Sequence, residues 1–296
     1  MKYGVPQGST LGPFLFITFI NDVFLKVYKE NMQLLCYADD MVLSSKTSDE
    51  ISRSQFITYI ENILNFFKDN HLLINIKKTK VQYFNDKGLT TDNIELYIND
   101  DISFDIVNEY KYLGINIDNK FKFTTQYMNL YNKMCLFLKC LYKVSKYLNK
   151  NIISNMYMCY MLPYIEYGSC IYFMFNRTQL NKISRINNRI IHFTNLDKNT
   201  YSIENRFILN ITKFFIKVIN NTCPLFISLN SHNRNTRHKI ALPIINKSSY
   251  LKSYRIWCTQ IYIKLKNKNF ETNNMNMKHV DDMMYILCPN FFSLFS

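Results

Sequence analysis

The chain has 296 residues, 48% hydrophobic and 20% charged, with a formal net charge of +14. Its six glycines and six prolines are too few for a low-complexity or largely disordered chain, and its eight scattered cysteines form no Cys-x-x-Cys pair, which excludes zinc-ligand spacing and a small disulfide scaffold. The basic excess suits a polyanion such as nucleic acid, although richness in Lys, Asn, Ile, Tyr and Phe also follows from AT-rich coding.

Gly4-Val5-Pro6-Gln7-Gly8-Ser9-Thr10 reads as a loop from its Gly and Pro content, with no cleavable leader before it. Residues 11–28 follow as a mostly apolar helix. Pro13 fits its first turn, and Ser9 or Thr10 its cap. Being apolar on nearly all sides, the helix is expected to be buried. Its apolar run, 11–20, is too short to span a bilayer.

Residues 33–45 contain Cys36-Tyr37-Ala38-Asp39-Asp40-Met41-Val42-Leu43, two adjacent carboxylates inside an apolar run. β-compatible flanks around a turn-like centre predict a hairpin. Burying an unpaired carboxylate is costly, so the pair is either a surface turn or a pair of metal ligands. A helix start at Ser48-Asp49-Glu50 leads into 51–70, where Phe56, Ile60, Ile63, Leu64 and Phe67 recur at helical spacing. Residues 72–84 read as a strand with basic residues in it. Residues 94–117 read as short strands, with turns near Asn99-Asp100 and at Asp118-Asn119. Helical patterns dominate after about 123: over 123–147, over 152–175 with breaks at Pro163 and Gly168, and over 179–193, which carries Arg185 and Arg189. This divides the chain into 1–122, a helical region 123–222 and a basic, partly irregular region 223–296. Most cysteines are expected to be reduced and buried.

The Asp pairs at 100–101 and 281–282 have no comparable apolar context. Carboxylates projecting from the tip of a hairpin can hold hard cations, since magnesium prefers oxygen ligands and is usually held by one or two carboxylates plus substrate phosphates. Two such ions activate an attacking hydroxyl and stabilise a leaving pyrophosphate. Successive strand residues face opposite ways, so Asp39 and Asp40 need not share a role.

Gly4-Val5-Pro6-Gln7-Gly8-Ser9-Thr10-Leu11-Gly12-Pro13 followed by Tyr37-Ala38-Asp39-Asp40 closely resembles the reverse transcriptases of non-LTR (LINE-like, jockey-type) retrotransposons, whose motifs B and C have this order and spacing. Phe16, Asn21 and Asp22 fit the continuation of motif B. Leu73-Ile74-Asn75-Ile76-Lys77-Lys78-Thr79-Lys80-Val81 resembles motif D, and Tyr110-Lys111-Tyr112-Leu113-Gly114-Ile115 resembles motif E, the primer grip. Leu162-Pro163-Tyr164-Ile165-Glu166-Tyr167-Gly168 and the segment from Arg185 to Ile191 are similar to the helical region that follows the polymerase domain in this family.

The resemblance implies an α+β fold, a partial polymerase palm (motifs B to E) followed by an all-α thumb-like region. It implies RNA-directed DNA polymerase chemistry with Mg2+ or Mn2+, acting on an RNA template, a DNA primer and deoxynucleoside triphosphates. It implies no membrane, and an intracellular, nuclear location. Asp39 would be the principal metal ligand, and Asp40 a second ligand or a group behind it. Pro6, Gln7, Gly8 and Ser9 would line the template and incoming nucleotide, with Gly8 permitting close backbone approach. Tyr37 would pack near the primer end. Lys78 would stabilise or protonate pyrophosphate; Lys77 or Lys80 would share that role, or all three would lie on a solvated strand face. Tyr112, Leu113 and Gly114 would shape the primer grip, with Leu113 and Ile115 read from their apolar character as core. Arg185 and Arg189 are either surface charge or phosphate contacts.

In this family motif A precedes motif B and supplies a further metal-binding Asp, whereas the sequence starts at motif B. The expectation is a truncated reverse transcriptase, inactive alone, with an exposed palm edge that favours self-association. The alternative is a non-catalytic RNA- or DNA-binding module built on the helical region and the basic C-terminus.

Overall fold

The hydroxyl of Ser9 accepts the N–H of Gly12 at 2.9 Å and so opens α1 (Gly12–Val27), with Pro13 in the first turn, where a missing donor does no harm. A computed structural model describes residues 8–27, 32–46, 50–84, 95–99 and 102–219. Pro6, Gln7, the Ser48-Asp49 helix start and the region 223–296 lie outside them. The chain is α+β and divides into two units, Met1–Tyr110 and Lys111–Ser296.

In the first unit, β1 (Met32–Tyr37) and β2 (Asp40–Ser45) form the expected antiparallel hairpin. Alternation sends Met32, Leu34, Cys36, Met41 and Leu43 to one face. There they meet Ile20 and Val23 of α1 and Tyr59, Ile63, Phe66 and Phe67 of α2 (Glu50–Asp69). A second apolar flank of α2, formed by Ile57, Ile60 and Leu64, packs on a three-stranded sheet. Its order is β3 (Lys80–Val81), β5 (Ile102–Ile106), β4 (Glu95–Asn99), with β3 parallel and β4 antiparallel to β5. Leu96, Ile98, Phe104 and Ile106 fill that interface.

Three expectations are corrected. α1 is not buried on all sides: Leu11 just ahead of it and Phe14, Leu15, Ile17 and Phe19 within it are exposed. Its neighbours α2 and the hairpin cover only the stripe that carries Ile20 and Val23. The strand expected over 72–84 shrinks to Lys80–Val81. Asn75 diverts the chain, because its side chain accepts the Lys78 N–H at 3.2 Å and its carbonyl accepts the Thr79 hydroxyl at 3.0 Å, a local turn that competes with strand pairing. Among the described free cysteines, Cys36 and Cys135 are half-buried and Cys140 and Cys159 are exposed.

The hairpin of β6 (Glu109–Tyr112) and β7 (Ile115–Asp118) leads into the second unit. The Asp118 carboxylate accepts the N–H groups of Lys120 and Lys122, both at 3.0 Å, and that of Phe123, which fastens the turn before α3 (Thr124–Val144). Asn149 caps α4 (Lys150–Met156) by accepting the Ile152 N–H at 2.9 Å. A π turn (Tyr157–Met161), α5 (Leu162–Glu166) and a 3-10 turn (Ser169–Met174) follow. The expected break at Gly168, φ 70, is there, but none occurs at Pro163: the backbone stays helical from Lys150 to Glu166, with the π turn just before the proline. A capping box of Asn176 and Gln179 opens α6 (Arg177–Ile191), and α7 (Ile203–Ile219) completes the unit.

One core joins these helices. Leu130, Met134 and Leu141 of α3, Ile183 and Ile190 of α6 and Phe207 of α7 are buried in it. Its polar groups are paired: the Tyr157 hydroxyl donates to Asn187 Oδ1 at 2.9 Å, and Asn187 Nδ2 donates to the Tyr201 carbonyl at 2.8 Å. Among the described residues no helix is long and apolar enough to cross a membrane.

Candidate functional site

The β1–β2 register decides which side chains share a surface. Tyr37 lies opposite Asp40, Leu35 opposite Val42 and Gln33 opposite Ser44. These six form the face turned away from the core, where Tyr37 is 66% and Leu35 60% exposed, so the strand is apolar on both faces but dry on one only. Ala38 and Asp39 make the turn. Ala38 has φ 52, a left-handed conformation that costs a residue with a Cβ roughly 1–2 kcal/mol.

Asp39 and Asp40 are both exposed, and neither is ion-paired with another described residue. Exposure removes the burial cost that made the sequence puzzling. The pair offers oxygen donors only, which fits a hard divalent cation in kind and supplies two protein ligands. Among the described residues no group of three or more His, Cys, Asp or Glu converges on one point.

Lys77 and Lys78 are exposed in the Asn75 turn, not on a strand face. The backbone of Lys78 is fixed from two sides, by Asn75 and by the Tyr110 hydroxyl, which donates to the Lys78 carbonyl at 3.3 Å. Lys80 differs, because its ammonium pairs with Asp105. No hydrogen bond or ion pair shown among the described residues joins Lys78 to the Asp39–Asp40 tip.

Gly8 has φ 84, a backbone conformation that favours glycine, and a Cβ added there would meet no described atom within 4 Å. Ser9 serves as the helix cap. Tyr112 and Leu113 are half-buried; Leu113 has φ 44 and Gly114 φ 82, the two-residue turn of the β6–β7 hairpin. Leu113 is thus a turn residue instead of a core residue, whereas Ile115 packs against the helical core as expected. Arg185 and Arg189 are exposed, and Arg189 Nη2 donates to the Tyr142 hydroxyl at 2.8 Å. Sequence reasoning missed Tyr167, whose hydroxyl donates to the Leu113 carbonyl. The signal was the Glu166-Tyr167-Gly168 run, which carried no hint of its partner.

Residues 1–117 match the family model described as reverse transcriptase (RNA-dependent DNA polymerase). That match covers 117 of the 296 residues, and over them the chain is similar to the reverse transcriptase family. The chain is 25% identical to the RNA-directed DNA polymerase from mobile element jockey of Drosophila melanogaster, over 61% of this chain and 20% of that protein. It is 33% identical to the probable RNA-directed DNA polymerase from transposon BS of the same species, over 42% of this chain and 14% of that protein. The jockey polymerase of Drosophila funebris is 25% identical over 62% of this chain and 21% of that protein. The chain spans about a fifth or less of the length of these curated relatives. No solved structure matches it. The hairpin tip and the Lys78 turn lie within the reverse transcriptase match, as does the Leu113–Gly114 turn.

Proposed function

We propose that the chain is a segment of an RNA-directed DNA polymerase of a non-LTR mobile element. One observation carries this reading: inside the matched region, Asp39 and Asp40 stand in solvent at a hairpin tip, with Tyr37 on the same face as Asp40. Asp39 and Asp40 would hold Mg2+ or Mn2+, which supplies activation of the primer hydroxyl and stabilisation of leaving pyrophosphate when bound. Lys78, on its fixed backbone, would place a cation toward pyrophosphate. Pro6, Gln7, Gly8 and Ser9 would border the template and the incoming nucleotide. Tyr112, Leu113 and Gly114 would form the primer-side hairpin. The partial palm would be 1–122, followed by a thumb-like region over 123–222.

Two carboxylates are fewer than two-metal chemistry uses, and the described residues bring no third to them. The isolated chain is therefore expected to bind an RNA–DNA primer–template without extending it. Primer extension on an RNA template with magnesium, wild type against Asp39→Ala, tests this. Synthesis lost in the variant would show that the chain supplies the missing ligand itself and is a working polymerase. Synthesis that persists in the variant would sink the metal-ligand role of Asp39.

The second reading, a non-catalytic nucleic-acid-binding module, is favoured by Lys139 and Lys143, one helical turn apart on the exposed face of α3, and by Lys146 just beyond. It expects affinity that falls steeply with salt and is unchanged by Asp39→Ala, as read by fluorescence anisotropy.

A further inference from the structure

Leu113 and Gly114 both occupy the left-handed region, at φ 44 and φ 82. Leucine is an awkward occupant there, so the turn needs outside support. That support comes from one short loop after α5. The Tyr167 hydroxyl donates to the Leu113 carbonyl, and the Tyr167 ring covers Gly114, where an added Cβ would lie 3.4 Å from Cε1. The contact is reciprocal. Gly168 has φ 70, and a Cβ there would lie 2.5 Å from Ile115 Cδ1. Each glycine thus allows the other segment to approach.

The loop is itself clamped. The Tyr167 N–H donates to the Pro163 carbonyl at 2.9 Å. The hydroxyl of buried Tyr172 donates to the Tyr167 carbonyl at 2.9 Å, and the Tyr172 ring lies 4.7 Å from that of Phe207 in the core. Glu166, next in the chain, is ion-paired with Arg206 of α7. Tyr167 is nevertheless 54% exposed, so it is held by directed bonds and not by burial.

We propose that Tyr167 and Gly168 are positioning residues that set the Leu113–Gly114 turn and, through it, the place of a bound primer's 3′ end; this rests on the primer-side reading of that turn. The loop transmits the rigidity of the helical core to a turn whose own residues disfavour its conformation.

The test uses the full chain and a DNA primer on an RNA template, with 4-thiothymidine either at the primer 3′ end or about ten nucleotides, roughly one helical turn, upstream. The wild type is expected to cross-link the 3′ end within 112–114. Tyr167→Phe is expected to lower that yield by about two- to tenfold, the range one neutral hydrogen bond spans. Upstream cross-linking and duplex affinity should stay at the wild-type level. An unchanged 3′ yield in Tyr167→Phe would overturn the inference and leave the primer-side reading intact. An equal loss at both positions would also overturn it, as general unfolding. A wild-type cross-link absent from 112–114 would overturn the primer-side reading and the inference with it. Gly168→Ala should lose the 3′ cross-link, and Gly168→Ala with Ile115→Val, which removes Cδ1, should regain part of it.

Discussion

The two units hold their residues by different means. The first keeps its apolar side chains in two small clusters on either side of α2 and leaves Leu11, Phe14, Leu15 and Ile17 on the surface. The second gathers α3 to α7 around one core, with paired polar groups inside it. Asp39, Asp40 and Lys78 belong to the thinly packed unit. They are therefore placed by turn geometry and strand register more than by bulk packing. The larger core lies in the other unit, which carries the loop that contacts the Leu113–Gly114 turn.

Core deletion should separate the two regions most sharply. Leu141→Ala, at a fully buried position in α3, is expected to cost about 2–5 kcal/mol in urea unfolding. Phe14→Ser, at a position 68% exposed, should change stability by no more than about 0.5 kcal/mol in the same assay, although it removes a larger side chain. A large loss there would mean that α1 is covered in solution, and the contrast would fail.

Next in size is the Glu166–Arg206 pair, with side chains 23% and 17% exposed. Glu166→Gln should cost about 1–3 kcal/mol, since the guanidinium keeps a neutral acceptor in place of a carboxylate.

The smallest effect is a pH dependence. Burial pushes the Tyr157 phenol above its usual range, partly offset by the Arg206 charge. A raised folded value favours the neutral phenol, so this contribution is fully present below the unfolded value of about 10 and fades as pH rises above it. Tyr157→Phe lacks that dependence. The stability gap between wild type and variant, about 1 kcal/mol near neutral pH from the lost hydrogen bond to Asn187, should narrow in alkaline melts.

Periodicity made much of this legible. The hairpin around Ala38-Asp39, helix α2 and the break at Gly168 all follow from local chemistry, as does the Ser9 cap, whereas the helix runs on through Pro163. The residues that misled are those whose fate depends on distant partners. Phe14 and Ile17 look like core because they are apolar, yet nothing described packs on them. Residues 72–84 alternate like a strand, but the Asn75 turn is a closer partner for their backbone than another strand. Tyr167 lies 54 residues from the carbonyl it supports, a separation at which pattern reading carries no information.

The β1–β2 pairing has one more consequence. Met41 and Leu43 face inward while Asp40 and Val42 face outward, and the closing turn has only two residues. A slip of one residue along that ladder would exchange the faces, driving Asp40 into the apolar cluster and Met41 into water. The dry side of the hairpin therefore proofreads the alignment of the wet side. A single-residue insertion at Ala38-Asp39 should be tolerated far less well than any substitution at either position.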